Sequence, residues 1–138
     1  MRNKASLKTS DKGFTRALAD LEKLGQKPPV VAVGVQGGDS VEPRGNITNV
    51  DVATFHEFGT ETIPQRSFLR STLDDKQNET IQRMTSAIRK VTSGQDAAQA
   101  FGLGGEWFKG QVQRKIRSRI PPALSPSTVE RKGSDVPL

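Results

Sequence analysis

Few residues in this chain are able to do chemistry, and most of them lie between Ala53 and Arg70. His56 and Glu57 stand side by side, a pair that could hold a metal or move a proton. His56 is the single histidine, however, so a His-Glu-x-x-His zinc helix is impossible. Set among apolar neighbours, His56 reads as a structural or interfacial residue. The absence of cysteine removes disulfides, zinc–thiolate sites and thiol nucleophiles. Gly34-Val-Gln-Gly37-Gly38 follows a β-branched run, but no helix opens behind it and no Gly-Lys-Ser/Thr appears, which argues against a phosphate cradle. Asp74-Asp75 reads as a helix N-terminal charge pair rather than a metal site. No catalytic residue, metal ligand or cofactor-binding set emerges. The expectation is a protein that is not an enzyme and carries no cofactor.

Charge offers a second kind of chemistry. The net charge is +6, and residues 61–138 hold thirteen basic against eight acidic groups. Within them Lys109, Arg114, Lys115, Arg117 and Arg119 occupy eleven residues with no acid between. Such a run suits an acidic partner, protein or nucleic acid, or is simply a solvated helix face. Trp107 and Phe108 are the only aromatics beside it, and no helix-turn-helix or other reader module is apparent. A small basic DNA-binding protein is therefore the alternative reading. Arg66 and Arg70, four residues apart, could hold an acidic group on an adjoining subunit, or could tie down their own loop through Glu57 or Glu61.

These residues must be positioned by the elements around them. Phe14, Ala17, Leu18, Leu21 and Leu24 repeat at helical spacing, with Gly25 as a stop and Pro28-Pro29 beyond. Val30–Val35 is a β-branched run too short for a helix and reads as a buried strand. Residues 36–47 have no period and read as an extended mobile loop. Thr48 or Asn49 can cap a short helix containing Val52, Ala53, Phe55 and Phe58, ended by Gly59. After Pro64 a long helix is expected from near Ser67, with Ile81, Met84, Ile88 and Val91 on its apolar face and Ser93-Gly94 as its end. Asp96 opens another helical region, which the Gly102–Gly105 group should kink or interrupt. Phe108, Val112, Ile116 and Ile120 then form a stripe that Pro121-Pro122 terminates.

The expected fold is α+β: a small β-sheet packed with about three helices, one long, plus extended loops. A lone strand is not stable, so its partners must lie elsewhere, around residues 39–50 or outside this sequence. The expected organisation is a flexible N-terminal arm (1–12), one α+β domain (13–120) and a Pro/Ser-rich C-terminal segment (121–138). Only 33% of residues are hydrophobic, with thirteen Gly and eight Pro. A core that modest often gains stability from neighbouring subunits. No apolar run approaches the roughly twenty residues of a membrane span, and the N-terminus lacks a signal-peptide pattern. The expectation is a soluble protein made in a cytoplasm, with no membrane partner.

Four blocks in order resemble a known family, the tail-completion or head–tail joining proteins of long-tailed bacteriophages (neck, tail-terminator or minor tail components). They are Val31-Ala-Val-Gly-Val35; Ala53-x-x-x-Glu57-Phe-Gly59-Thr60; Ile63-Pro64-x-Arg66-x-Phe68-Leu69-Arg70; and Pro121-Pro-Ala-Leu-Ser-Pro-Ser-Thr-Val-Glu-Arg131-Lys132 with Pro137-Leu138. Together they reach across most of residues 29–138. Ser67 stands where the family commonly has Pro, and His56 where Asn is common. Family members usually continue past Pro-Leu into an Asp-Thr-Gly segment and a final β-hairpin, whereas this sequence ends at Leu138.

The resemblance implies a structural virion protein without catalysis, assembled in the host cytoplasm. It would form a homo-oligomeric ring, commonly a hexamer, at the head–tail junction. Connector or neck proteins and the tail tube protein would be its partners, and DNA would pass non-specifically through the lumen. On this reading Glu57, Gly59, Thr60, Pro64, Arg66, Phe68, Arg70, Lys109, Arg114, Lys115, Arg117, Arg119, Arg131 and Lys132 are the candidate subunit or partner interface. Gly59 should end its helix with positive φ, Pro64 should fix the turn, and Phe68-Leu69 should anchor the next helix.

Overall fold

The computed structural model describes residues 11, 13–37 and 47–136. The expected flexible arm, Asp11 apart, and most of the expected loop lie outside these residues. Among the described residues six helices follow one another: α1 (Phe14–Gln26), α2 (Asn49–Phe58), α3 (Leu69–Asp75), α4 (Gln77–Thr92), α5 (Ala97–Arg117) and α6 (Pro126–Lys132). Of the described residues 64% are helical, with essentially no strand or sheet among them.

The α+β expectation is therefore corrected to an all-helical fold among the described residues. Val30–Val35 is neither helix nor strand. Its β-branched residues suit an extended chain, but a strand also requires a hydrogen-bonded neighbour. No described backbone group bonds to residues 28–37. The expected buried strand is therefore corrected to an irregular segment with a bend at Gly34, in which Val30, Val31 and Val35 are exposed.

The second correction concerns the long helix expected from Ser67. It is two helices, α3 and α4, separated at Lys76. There the Lys76 N–H is shared between Thr72 O (3.0 Å) and Leu73 O (3.3 Å), which turns the chain before α4 begins. The buried side of α4 is also rotated from the expected stripe. Ala87 and Val91 are buried, whereas Ile81 and Ile88 are 55% and 41% exposed. Small Ala87 permits closer approach to α5 than isoleucine would.

The third correction is at Gly102–Gly105, which does not interrupt α5. This helix is continuous for 21 residues, opened by Asp96, whose carboxylate accepts the Gln99 N–H at 2.9 Å. Its glycines serve packing instead. A Cβ on Gly104 would come within 2.6 Å of Met84 Cε, and one on Gly105 would overlap Val31 Cγ1. Their absence lets α4 and the Val31 segment lie against the α5 backbone.

Two small cores result. Ala87, Val91 and Ala100 join α4 to α5, with Leu24 and Phe101 packed around them. Ala53, Phe68 and Val112 join α2, the start of α3 and α5, with Leu69, Phe108, Ile116 and Ile120 alongside. The apolar stripe read from Phe108, Val112, Ile116 and Ile120 thus packs into this core. Burying Phe68 fully contributes roughly 2–3 kcal/mol.

Candidate functional site

The motif from Ala53 to Arg70 folds as a junction between α2, α3 and the C-terminal segment. Thr48 starts α2 with a capping box. Its hydroxyl accepts the Asp51 N–H (3.2 Å), and the Asp51 carboxylate accepts the Thr48 N–H (2.9 Å). The Thr48 hydroxyl and N–H hold the Asp51 carboxyl below its ordinary value. Gly59 then ends the helix at φ 78°, the left-handed region expected for it, while its N–H bonds to Phe55 O (2.8 Å). A side chain there would also press on Gln65.

Thr60 shapes the turn that follows. Its hydroxyl accepts the N–H of Ile63 (3.0 Å) and Thr62 (3.3 Å), and its own N–H donates to Ile63 O (2.8 Å). The returning chain is fastened to α2 by the Arg66 N–H on His56 O (2.7 Å) and by Gln65 Nε2 on Glu57 O (3.0 Å).

Glu57 is the centre of the junction. Buried at 6% exposure, its carboxylate accepts the Ser67 hydroxyl (2.7 Å) and three backbone donors: Phe68 N–H (2.8 Å), Leu69 N–H (2.9 Å) and Arg70 N–H (3.1 Å). These are the open donors at the start of α3, whose own N-cap residue supplies no side-chain bond. A carboxylate borrowed from α2 therefore caps α3 and meets the positive end of its dipole. Burial pushes the Glu57 carboxyl up, but the Ser67 hydroxyl and the N–H groups of Leu69, Arg70 and Phe68 outweigh it. The pKa is lowered below the ordinary glutamate value. Ser67, near which the next helix was expected to open, donates its hydroxyl to Glu57.

Arg66 is only 4% exposed. Its guanidinium donates to Pro122 O (2.6 Å), Ala123 O (3.0 Å) and, at longer range, Pro64 O (3.4 Å). No acidic partner accompanies it among the described residues. Of the two readings of this arginine, the geometry follows the one in which it ties its own chain, but to carbonyls and not to Glu57 or Glu61. Arg70 is exposed. His56, half-buried, keeps Nδ1 enclosed without a hydrogen-bond partner among the described residues. Burial lowers its pKa below the ordinary histidine value, and the Arg66 and Lys132 charges lower it further.

The basic residues are more scattered than the sequence suggested. Lys109 pairs with Glu106 (3.0 Å), Lys115 with Asp75 (2.8 Å) and Arg119 with Asp135 (2.7 Å). Arg119 lies beyond α5 with φ 57°, while Arg114 and Arg117 stay on its last turns. Arg131 and Lys132 end α6. Ser125 caps that helix by accepting the Thr128 N–H (3.3 Å), and Gly133 closes it at φ 68°. Arg83, which the sequence did not single out, lies 4.3 Å from the Trp107 ring centre. The signal that could have found it is a cation and an aromatic on neighbouring helices, invisible without the packing.

No group of three or more potential metal-ligating side chains is present among the described residues, and no described helix is long and apolar enough to cross a membrane. No family model matches the chain, and no curated protein or solved structure matches it significantly.

Proposed function

We propose that this chain is a structural assembly subunit, a non-catalytic virion protein of a tailed phage that forms a ring at the head–tail junction. The observation that carries the reading is the Arg66 clamp. Two blocks of the family resemblance, Ile63–Arg70 and Pro121–Lys132, lie far apart in sequence and meet at the Arg66 bonds to Pro122 and Ala123. A resemblance by accident would give no reason for its separate pieces to form one junction.

The role of that junction is to set geometry. Glu57 fixes how α3 leaves α2, and Arg66 fixes where the C-terminal segment returns. A subunit in a closed ring needs such fixed angles, because a small error repeats at each contact. The surface also leaves apolar groups for partners: Phe14, Leu18 and Leu21, along α1, are 70%, 51% and 44% exposed. On this reading the ring meets connector and tail tube proteins at its two faces, and DNA passes through without sequence readout. The ion pairs of Lys109, Lys115 and Arg119 reduce the free charge available for phosphates. Light scattering of the purified protein across concentration tests the reading. A mass near six copies at high concentration is expected; a mass that never exceeds two copies, even with an isolated connector added, overturns it.

A further inference from the structure

The last turns of α5 and the end of α3 face each other across a small polar cleft. Gln111, Arg114, Lys115 and Ser118 stand at i, i+3, i+4 and i+7, along one face of α5 and its C-cap. Thr72 and Asp75 of α3, with Lys76 after it, repeat the first three of these spacings on the opposite wall, and about 220 Å³ lies between. Most of this lining is already engaged. The Thr72 hydroxyl donates to Phe68 O and the Ser118 hydroxyl to Lys115 O. Lys115 pairs with Asp75 (2.8 Å), and Lys76 with Glu79 of α4 (2.7 Å).

Two groups are not engaged. Arg114 is exposed and has no acidic partner among the described residues. Gln111 is only 9% exposed, yet its amide makes no hydrogen bond among the described residues. The amide is not sealed in the core either, so it opens into the cleft that Gln111 lines. A polar side chain buried this far is costly without a partner, and an apolar one would fill the same place more cheaply.

We propose that this cleft takes one carboxylate, the side chain of an Asp or Glu on an adjoining protein subunit. Charge sets the valence of the ligand. Lys76, Arg114 and Lys115 stand against Asp75 and Glu79, which leaves a surplus of one positive charge. A single carboxylate balances it, and the planar guanidinium of Arg114 suits that group in two parallel bonds. The Gln111 NH2 adds a third donor from the buried side. Size sets the source. Sites for whole small molecules enclose roughly 300–1,000 Å³, whereas this cleft has room for the end of a side chain. Nucleic acid fits poorly, because its successive phosphates would meet the exposed Asp74, Asp75 and Glu79. That the acid belongs to a neighbouring subunit rests on the assembly reading above; the carboxylate chemistry does not.

Titration with the blocked peptide acetyl-Gly-Glu-Gly-amide, followed by proton–nitrogen NMR, reads the cleft without any assembly. The Gln111 NH2 and Arg114 Nε–H signals should shift saturably, and should stay still with the Gly-Gln-Gly counterpart. Arg114→Met should weaken binding about ten- to a hundredfold. Gln111→Leu should also weaken it, at an unchanged or higher Tm, which separates a binding role from a packing one. No shift with the acidic peptide at tens of millimolar overturns the site. Inorganic phosphate or a short DNA duplex moving the same signals at lower concentration overturns the choice of a protein carboxylate. Light scattering reads the ring separately: a parent chain that binds the peptide and stays monomeric removes the ring and keeps the cleft. Rings that form equally well with Arg114→Met, from a parent that ignores the peptide, overturn the cleft alone.

Discussion

Replacing Glu57 with Gln changes one oxygen to an amide and leaves the side chain's shape almost untouched. The carboxylate receives the Phe68 and Leu69 N–H groups on one oxygen and the Ser67 hydroxyl and Arg70 N–H on the other. The amide does best by keeping its oxygen toward Phe68 and Leu69. Its NH2 then faces Ser67, whose hydroxyl can rotate to accept, and the Arg70 N–H, which is left without an acceptor. One orphaned donor costs about 1–3 kcal/mol. Loss of the negative charge at the α3 N-terminus adds about 0.3–1 kcal/mol. The expected loss is therefore about 2–3 kcal/mol, seen as a fall in Tm of roughly 6–12 °C for a domain of this size.

The pH dependence provides a second check on Glu57. Its folded pKa is lowered, so its contribution is complete above the ordinary value of 4.5 and is lost as pH falls through the folded value. The parent and Glu57→Gln should therefore converge in acid. Urea unfolding at neutral pH and at successively lower pH reads both effects. A neutral-pH loss under about 0.5 kcal/mol, or a constant difference down to the acid limit, would refute the capping account.

Three other substitutions probe neighbouring parts of the fold. Arg66→Ala should cost about 2–4 kcal/mol, since two close charge-assisted bonds to the C-terminal segment disappear; proteolysis should then cut first between Arg119 and Lys132, and an unchanged cleavage pattern would dismiss the clamp. Gly105→Ala should destabilise by about 1–3 kcal/mol because the new Cβ displaces Val31, whereas Gly104→Ala meets only the flexible end of Met84 and should cost less; chemical denaturation ranks the two. His56 binds its proton less readily in the folded chain, so stability should fall as pH drops below the ordinary 6.5 and level off below the folded value. His56→Gln should lose that slope in melts taken between pH 7.5 and 5, and an identical slope would assign it to other groups.

Local signals in the sequence were read well where chain and side chain act within a few residues. Thr48, Gly59, Asp96 and the Phe108–Ile120 stripe all took the positions their chemistry implied. What the sequence concealed depends on distant partners. Glu57 looked like half of a His-Glu pair, yet it caps a helix that begins twelve residues later. Arg66 offered a charge with two obvious acids nearby, but it is held by carbonyls more than fifty residues away. The Gly102–Gly105 group suggests a break when read locally; only the positions of Met84 and Val31 explain it as close packing. Val30–Val35 showed strand propensity without a ladder, because propensity describes a chain and pairing requires a neighbour.

Imaging the assembled protein tests the proposed function most directly. Negative-stain class averages at the highest soluble concentration should show closed rings of about six copies, with an open centre wide enough for duplex DNA. Particles no larger than a pair, or open filaments in place of closed rings, both alone and with connector, would contradict a head–tail junction role.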